Sequence, residues 1–368
     1  MRISALFWIA TVFYLLLAML SKSLYRGLLP PVETAPLLYA LAFLGIMWIS
    51  HRLEPGLDGR ERARLYLLTI FLVLSALGLF GFLVSLVVIG IAFLLTQRAK
   101  KMDPAAFMGR VERLLLVPAV VLLAVPLLAG SVPLFDPVER YSDFRFFYLA
   151  AGYLTVALIS IRPHLRFFLL GEVIALLSTF RTVGLSVALA YVLGAVGRGN
   201  SGRGGWRGHL PLLIAVAAGV LVLAVRYLAT LGTYPSWHLG FLETLLYRPG
   251  FTYTVYERLF EMGMPLGRRG ILFSTDPKGY VGSLFGSDVG YTYTIFGQPA
   301  YDFGILGLLE AGFLGLALAD SERTRPTGIL AVTFLILMIP IGMDAFFLSA
   351  LSLFAYISLE VGMWAESG

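Results

Sequence analysis

Gly297-Gln298-Pro299-Ala300-Tyr301-Asp302-Phe303-Gly304 closes a polar, aromatic, glycine-punctuated segment that begins at Gly232, and nearly everything outside that segment is apolar. Apolar runs of roughly 15 to 20 residues recur on both sides, the length a helix needs to cross ~30 Å of hydrocarbon. Twelve are read, at 3-21, 35-50, 65-80, 82-97, 114-131, 146-161, 166-179, 181-197, 210-231, 301-319, 328-341 and 346-364. The expectation is an all-α polytopic membrane protein whose 368 residues form one membrane domain. Composition agrees: 58% of residues are hydrophobic, 14% are charged and the mean hydropathy is +0.84, outside the range of soluble chains. The first run lacks a small-residue cleavage site, so it reads as a retained helix rather than a signal peptide.

Charge orders the loops. Arg52, Arg60, Arg62 and Arg64 lie in one loop, and Arg98, Lys100, Lys101, Arg110 and Arg113 in another. Both are expected to face the cytoplasm, with the Arg198–Arg207 and Ser321–Arg325 loops and both termini. The segment 232-300 then falls outside the cell membrane. A net charge of +6 belongs to such an inner face rather than to a nucleic-acid partner. Arg162 and Arg198 should both be internal, so the chain between them must go out and return. Two short helices would meet near Phe180-Arg181-Thr182, with a helix break at 181-182. A charge at such a break is tolerated only against protein or water, which makes Arg181 a candidate site residue.

The outer segment carries as many basic as acidic residues, five of each, and its bias is toward aromatics. Tyr234, Trp237, Tyr247, Phe251, Phe285 and Tyr291 are among them, and such faces suit sugar rings or the headgroup interface. Pro249 to Met262 is expected to form a helix that carries Arg258, with Arg248 just before it. Asp276-Pro277-Lys278-Gly279 and Gly286-Ser287-Asp288-Val289-Gly290 read as turns. A second outer cluster, Pro133 to Arg145, adds Arg140 and Arg145. These two, with Arg181, Arg226, Arg248 and Arg258, would suit a lipid-linked pyrophosphate, because a planar guanidinium pairs bidentately with phosphate oxygens. A salt bridge or snorkelling to the interface is the plainer role for each.

Other chemistries are thinly supplied. There is no cysteine and there are only four histidines, which excludes thiolate chemistry and speaks against a metal site or any cofactor. His238 is the one outer histidine and a candidate general base. Asp288 and Asp302 are the acids nearest the aromatic-glycine stretch, and Glu172 and Glu310 lie within apolar runs, where pairing between helices and function compete.

Three stretches in order carry a resemblance: Gly130-Ser-Val-Pro-Leu-Phe-Asp-Pro-Val-Glu-Arg140, Phe180-Arg181-Thr182, and Tyr291-Thr-Tyr-Thr-Ile-Phe-Gly-Gln-Pro-Ala-Tyr301-Asp302-Phe303-Gly304-Ile-Leu-Gly307. Together they resemble the oligosaccharide repeat-unit polymerases, the Wzy-type O-antigen polymerases, most of all their archaeal members. Pro265 to Gly290 is similar to that family's glycine-spaced external loop. The resemblance covers residues 110 to 310; the first hundred are generic helices.

It implies a metal-independent, inverting membrane glycosyltransferase of the C superfamily with no cofactor. Donor and acceptor would be polyprenyl-pyrophosphate-linked oligosaccharides on the outer leaflet, with flippase and chain-length regulator proteins as partners. Arg181 and Arg248 would stabilise the departing pyrophosphate, with Arg258, Arg140, Arg145, Tyr291 and Tyr301 lining the substrate. The loop 232-300 and the Arg181 break would enclose the site. The base stays open among His238, Asp288, Asp302 and no protein group at all. A ligase acting on another acceptor, or a transporter of a lipid-linked glycan, are the competing readings.

Overall fold

The computed structural model describes residues 3–53, 56–99, 104–136, 139, 142–196, 206–233 and 238–367. Among them the regular structure is helical throughout. In order the helices are α1 (Ser4–Leu24), α2 (Thr34–Arg52), α3 (Gly59–Ser75), α4 (Leu79–Ala99), α5 (Pro104–Leu128), α6 (Arg145–Ile161), α7 (Leu165–Ser178) and α8 (Arg181–Val196). There follow α9 (Trp206–Thr233), α10 (Phe241–Gly263), α11 (Pro277–Leu284), α12 (Thr294–Phe303), α13 (Leu308–Ser321), α14 (Arg325–Ile341) and α15 (Ala345–Ser367).

Six stretches among the described residues are long and apolar enough to cross a membrane: Ser4–Leu24, Thr34–Arg52, Leu79–Ala99, Gly109–Leu128, Thr294–Ser321 and Ala345–Gly362. Arg145–Ile161, Arg181–Ala195, Leu212–Val225 and Arg325–Ile341 are shorter apolar helices. The packing is that of a chain bathed in lipid. In α4 the buried positions are Gly81, Ser85, Ala92, Thr96 and Ala99, while Phe80, Leu83, Val87 and Leu94 are exposed. Small residues face protein and large apolar ones face out, the reverse of a water-soluble helix. The chain is a polytopic, all-α membrane protein.

The described residues gather into two compact units. One comprises 1–101 and 242–368. In it α13 packs on α2 and α15, α15 on α3, α3 on α4, and α1 and α12 on α14. One end of this unit is tied by ions. Asp320 accepts from Arg62 at 2.6 Å and from the Tyr66 hydroxyl at 2.8 Å, and Glu322 meets the Ser4 amide and His51 Nε2. Near the C-terminal end of α1, the ammonium of Lys22 is buried against the carboxylate of Glu257 on α10 and lies 5.7 Å from the centroid of the Tyr253 ring.

The helix expected from Pro249 begins eight residues earlier, at Phe241, and Pro249 sits inside it. A proline there removes one backbone donor. Hydroxyls of α1 bind carbonyls on either side of the gap: Ser21 donates to the Tyr247 carbonyl at 3.1 Å and Tyr14 to that of Pro249 at 3.4 Å. Gly250 permits the approach, since a Cβ there would lie 2.3 Å from Ser21 Oγ.

The other unit comprises residues 102–241 and is built from α5 to α9, with α8 against α6, α7 and α9. The run expected to start at 114 is helical from Pro104, because charged Arg110 and Arg113 interrupt the apolar pattern without interrupting the helix. Glu112 binds Arg162 and Arg166, each at 2.8 Å. A Cβ on Gly152 of α6 would come within 2.5 Å of Val183 on α8, and one on Gly194 of α8 within 2.8 Å of Pro163 just after α6. Contacts thus advance along both helices together, so α6 and α8 run in the same direction.

Candidate functional site

In the unit formed by 1–101 and 242–368, Asp302 is the pivot. It lies near the end of α12, 1% exposed. Its Oδ1 accepts from the backbone amides of Gly270 at 2.7 Å and Ile271 at 2.8 Å, and its Oδ2 from Leu272 N at 2.7 Å and Gln298 Nε2 at 3.1 Å. Three successive amides converge on one carboxylate because Arg269, just before them, adopts φ +53°, a left-handed turn that makes an anion-binding nest of the chain.

The segment before Arg269 lies backbone against backbone on α12. The amide of Arg268 donates to the Tyr301 carbonyl at 2.8 Å, and that of Ile305 to the Pro265 carbonyl at 2.9 Å. Gly267, at φ +85°, has no room for a side chain: a Cβ would stand 2.2 Å from the Asp302 carbonyl oxygen. The Tyr280 and Tyr301 hydroxyls are 3.0 Å apart. Asp302 is therefore an anchor with its lone pairs engaged. What it holds in place is an exposed pair of cations, Arg268 and Arg269.

Those two arginines escaped the sequence reading, although Gly267-Arg268-Arg269-Gly270 stands in the quoted glycine-spaced loop. Two adjacent cations between glycines in an otherwise near-neutral segment were the available signal. Arg268 Nε donates to the Met262 carbonyl at 2.6 Å. Arg269 has no hydrogen-bond or ion-pair partner among the described residues, yet occupies a conformation that costs a non-glycine residue roughly 1–2 kcal/mol. Arg269→Gly is expected to raise the melting temperature slightly while reducing turnover; a scanning melt and an activity assay on the same preparation check both signs.

Beside this loop runs a ribbon of partly buried rings. Tyr25 meets Tyr247 edge-on at 5.6 Å, Tyr247 stacks on Phe251 at 5.9 Å, Phe251 meets Tyr291 edge-on at 5.5 Å, and Tyr291 lies 5.9 Å from Phe285. The guanidinium of Arg248 sits 5.9 Å from the Phe251 ring centroid. Partly exposed rings with a cation among them can stack on sugar rings and pair with an anion. Arg258 on α10 is spoken for by Glu261 at 2.8 Å. Asp288 is exposed in the turn after α11. Both oxygens of Glu310 are buried without a hydrogen bond among the described residues, although Gln298 and Asp302 are close.

In the unit 102–241, α7 ends at Ser178, Thr179 takes φ 55° and α8 starts at Arg181. The Ser178 hydroxyl accepts from Phe180 N at 3.3 Å across the gap. Because α6 and α8 are parallel, their first residues, Arg145 and Arg181, share one end of this unit. Two helix N-termini, each with an arginine, lie at that end, together with the carboxylates of Asp136, Glu139 and Asp143 in the loop leading into α6. Arg145 also lies 4.8 Å from the centroid of its neighbour Phe146. The two carboxylate oxygens of Glu172 are buried without a hydrogen bond among the described residues. His238 is exposed before α10. Arg140, Tyr234 and Trp237 lie outside the described residues, as does the side chain of Arg226. Among the described residues no group of three or more His, Asp or Glu side chains is placed to hold a metal ion.

Fold and residues define a multi-pass membrane protein with cationic and aromatic surfaces. Residues 9–356 match the model of the family described as "Putative O-antigen polymerase", and the chain belongs to that family. Membership implies membrane glycan polymerisation, glycosyltransferase-type activity and lipid-linked oligosaccharide substrates. No curated protein and no solved structure matches the chain.

Proposed function

We propose that this chain polymerises polyprenyl-pyrophosphate-linked oligosaccharide repeat units on the outer leaflet, by metal-independent, inverting transfer from one lipid carrier to the free end of another glycan. The observation that carries the reading, beyond family membership, is the aromatic ribbon Tyr25, Tyr247, Phe251, Tyr291 and Phe285 beside Arg248. A polymerase must hold a repeating glycan without covalent attachment, and rings set in series do so by stacking. Arg181 and Arg145, both in the 102–241 unit, are the cations assigned to the leaving pyrophosphate, whose charge grows as the glycosidic bond breaks. Asp302 positions the Arg268–Leu272 loop, and the acceptor proton leaves to solvent or to an exposed group such as Asp288 or His238. In this reading the twelve apolar segments form a single membrane domain of the glycosyltransferase C type. Both termini are cytoplasmic, 232-300 is external, and a flippase and a chain-length regulator work alongside.

Purified protein supplied with a lipid-pyrophosphate oligosaccharide is expected to yield products stepping up by whole repeat units, at a rate unchanged by a chelator. A single addition would indicate a ligase. Unaltered glycan carried across a vesicle wall would indicate a transporter and sink the polymerase reading.

A further inference from the structure

A cavity of about 440 Å³ opens at the end of α1 and the connection to α2. Met19, Leu29 and Val32 give it apolar walls, and Lys22 and Arg26 also line it. The two cations differ. Lys22 is neutralised by Glu257, whose second oxygen accepts from Glu33 N at 2.9 Å. Arg26 is exposed and has no hydrogen-bond or ion-pair partner among the described residues. A ligand in this cavity therefore meets one uncompensated guanidinium above an aliphatic floor. Glu33, next to Val32, would oppose an anion. Its own burial first, then Glu261 and Glu257, push its carboxyl above the usual carboxylate range.

We infer that this cavity holds the headgroup and first methylenes of a phosphate-bearing lipid, with Arg26 as the phosphate ligand. The volume falls within the range of small-molecule sites, roughly 300–1,000 Å³. A guanidinium matches phosphoryl oxygens bidentately, and the apolar walls suit an alkyl chain better than a sugar, whose natural partners here are the rings of the ribbon. The site is independent of the glycan reading.

Full-length protein in detergent, titrated with phosphatidic acid, a polyprenyl monophosphate or inorganic phosphate and followed by native mass spectrometry, tests it. Wild type is expected to retain one lipid phosphate, and Arg26→Gln to bind it about tenfold more weakly, the effect of losing one charged hydrogen-bonding group. Val32→Trp should fill the cavity and weaken binding with Arg26 intact. Melting curves matching the wild type would show that both variants fold. Preference for phosphatidic acid identifies a bulk membrane lipid and preference for the polyprenyl phosphate a carrier lipid; either supports the site. Wild type that retains neither lipid, variants that bind as wild type does, or inorganic phosphate competing as an equal would overturn it.

Discussion

Replacing Asp302 with alanine is expected to destabilise the protein by roughly 5 kcal/mol, because truncation strands several donors that a buried charged acceptor had satisfied. The amides of Gly270, Ile271 and Leu272 and the side chain of Gln298 all aim at that one carboxylate. Around it, α12 and residues 263–267 meet backbone to backbone. Hydrogen exchange across 268–276 should show protection lost there first, and a thermal melt the global cost. Asp302→Asn separates anchoring from proton transfer. It keeps one acceptor oxygen but turns an NH₂ group toward the amides, so an anchor loses stability and activity together. A carboxylate acting as base would instead lose turnover at an unchanged melting temperature, with the acidic limb missing from the pH profile.

Arg181→Ala is expected to cut repeat-unit transfer by roughly 10²–10³-fold, the usual cost of removing one donor from a developing oxyanion. Arg181 is the first residue of α8 and half-buried. Its removal disturbs no helix interior, and the break is maintained by Thr179 and Ser178. Charge alone is not the whole expectation. Lysine keeps the charge but not the two-pronged geometry, so Arg181→Lys should recover part of the rate and less of the affinity for the pyrophosphate donor. Full turnover in the alanine variant, assayed on folded protein, would remove Arg181 from the reaction.

The apolar runs made the class of fold legible, because a helix in lipid must be apolar around its circumference and needs no partner to announce itself. Loop charge led to a helix break expected at 181-182, whereas α7 ends at Ser178 and α8 begins at Arg181, so residues 181 and 182 are helical and the interruption is at 179–180. The segment 232-300 was not legible. Phe241 to Gly263 is low in hydropathy and holds Pro249, so it reads as loop plus a short helix. The hydroxyls that meet its carbonyls, of Ser21 and Tyr14, lie more than two hundred residues away in sequence. Asp302 stood among the candidate residues, but the three loop amides that it binds leave no mark in residue type. Arg269 was passed over because a left-handed arginine looks like any other arginine until the backbone is known.

The pairing of Lys22 with Glu257 bears on how the chain is made. The partners are separated by 235 residues, and the whole of the 102–241 unit is synthesised between them. At about 5–20 residues per second, Lys22 spends roughly 10–50 s in a nascent protein that does not yet contain its counter-ion. Its place in the last turn of α1 lets the ammonium reach the aqueous boundary during that wait. Only when α10 emerges does the lysine withdraw into the protein, so completion of this bundle is a late event in biogenesis.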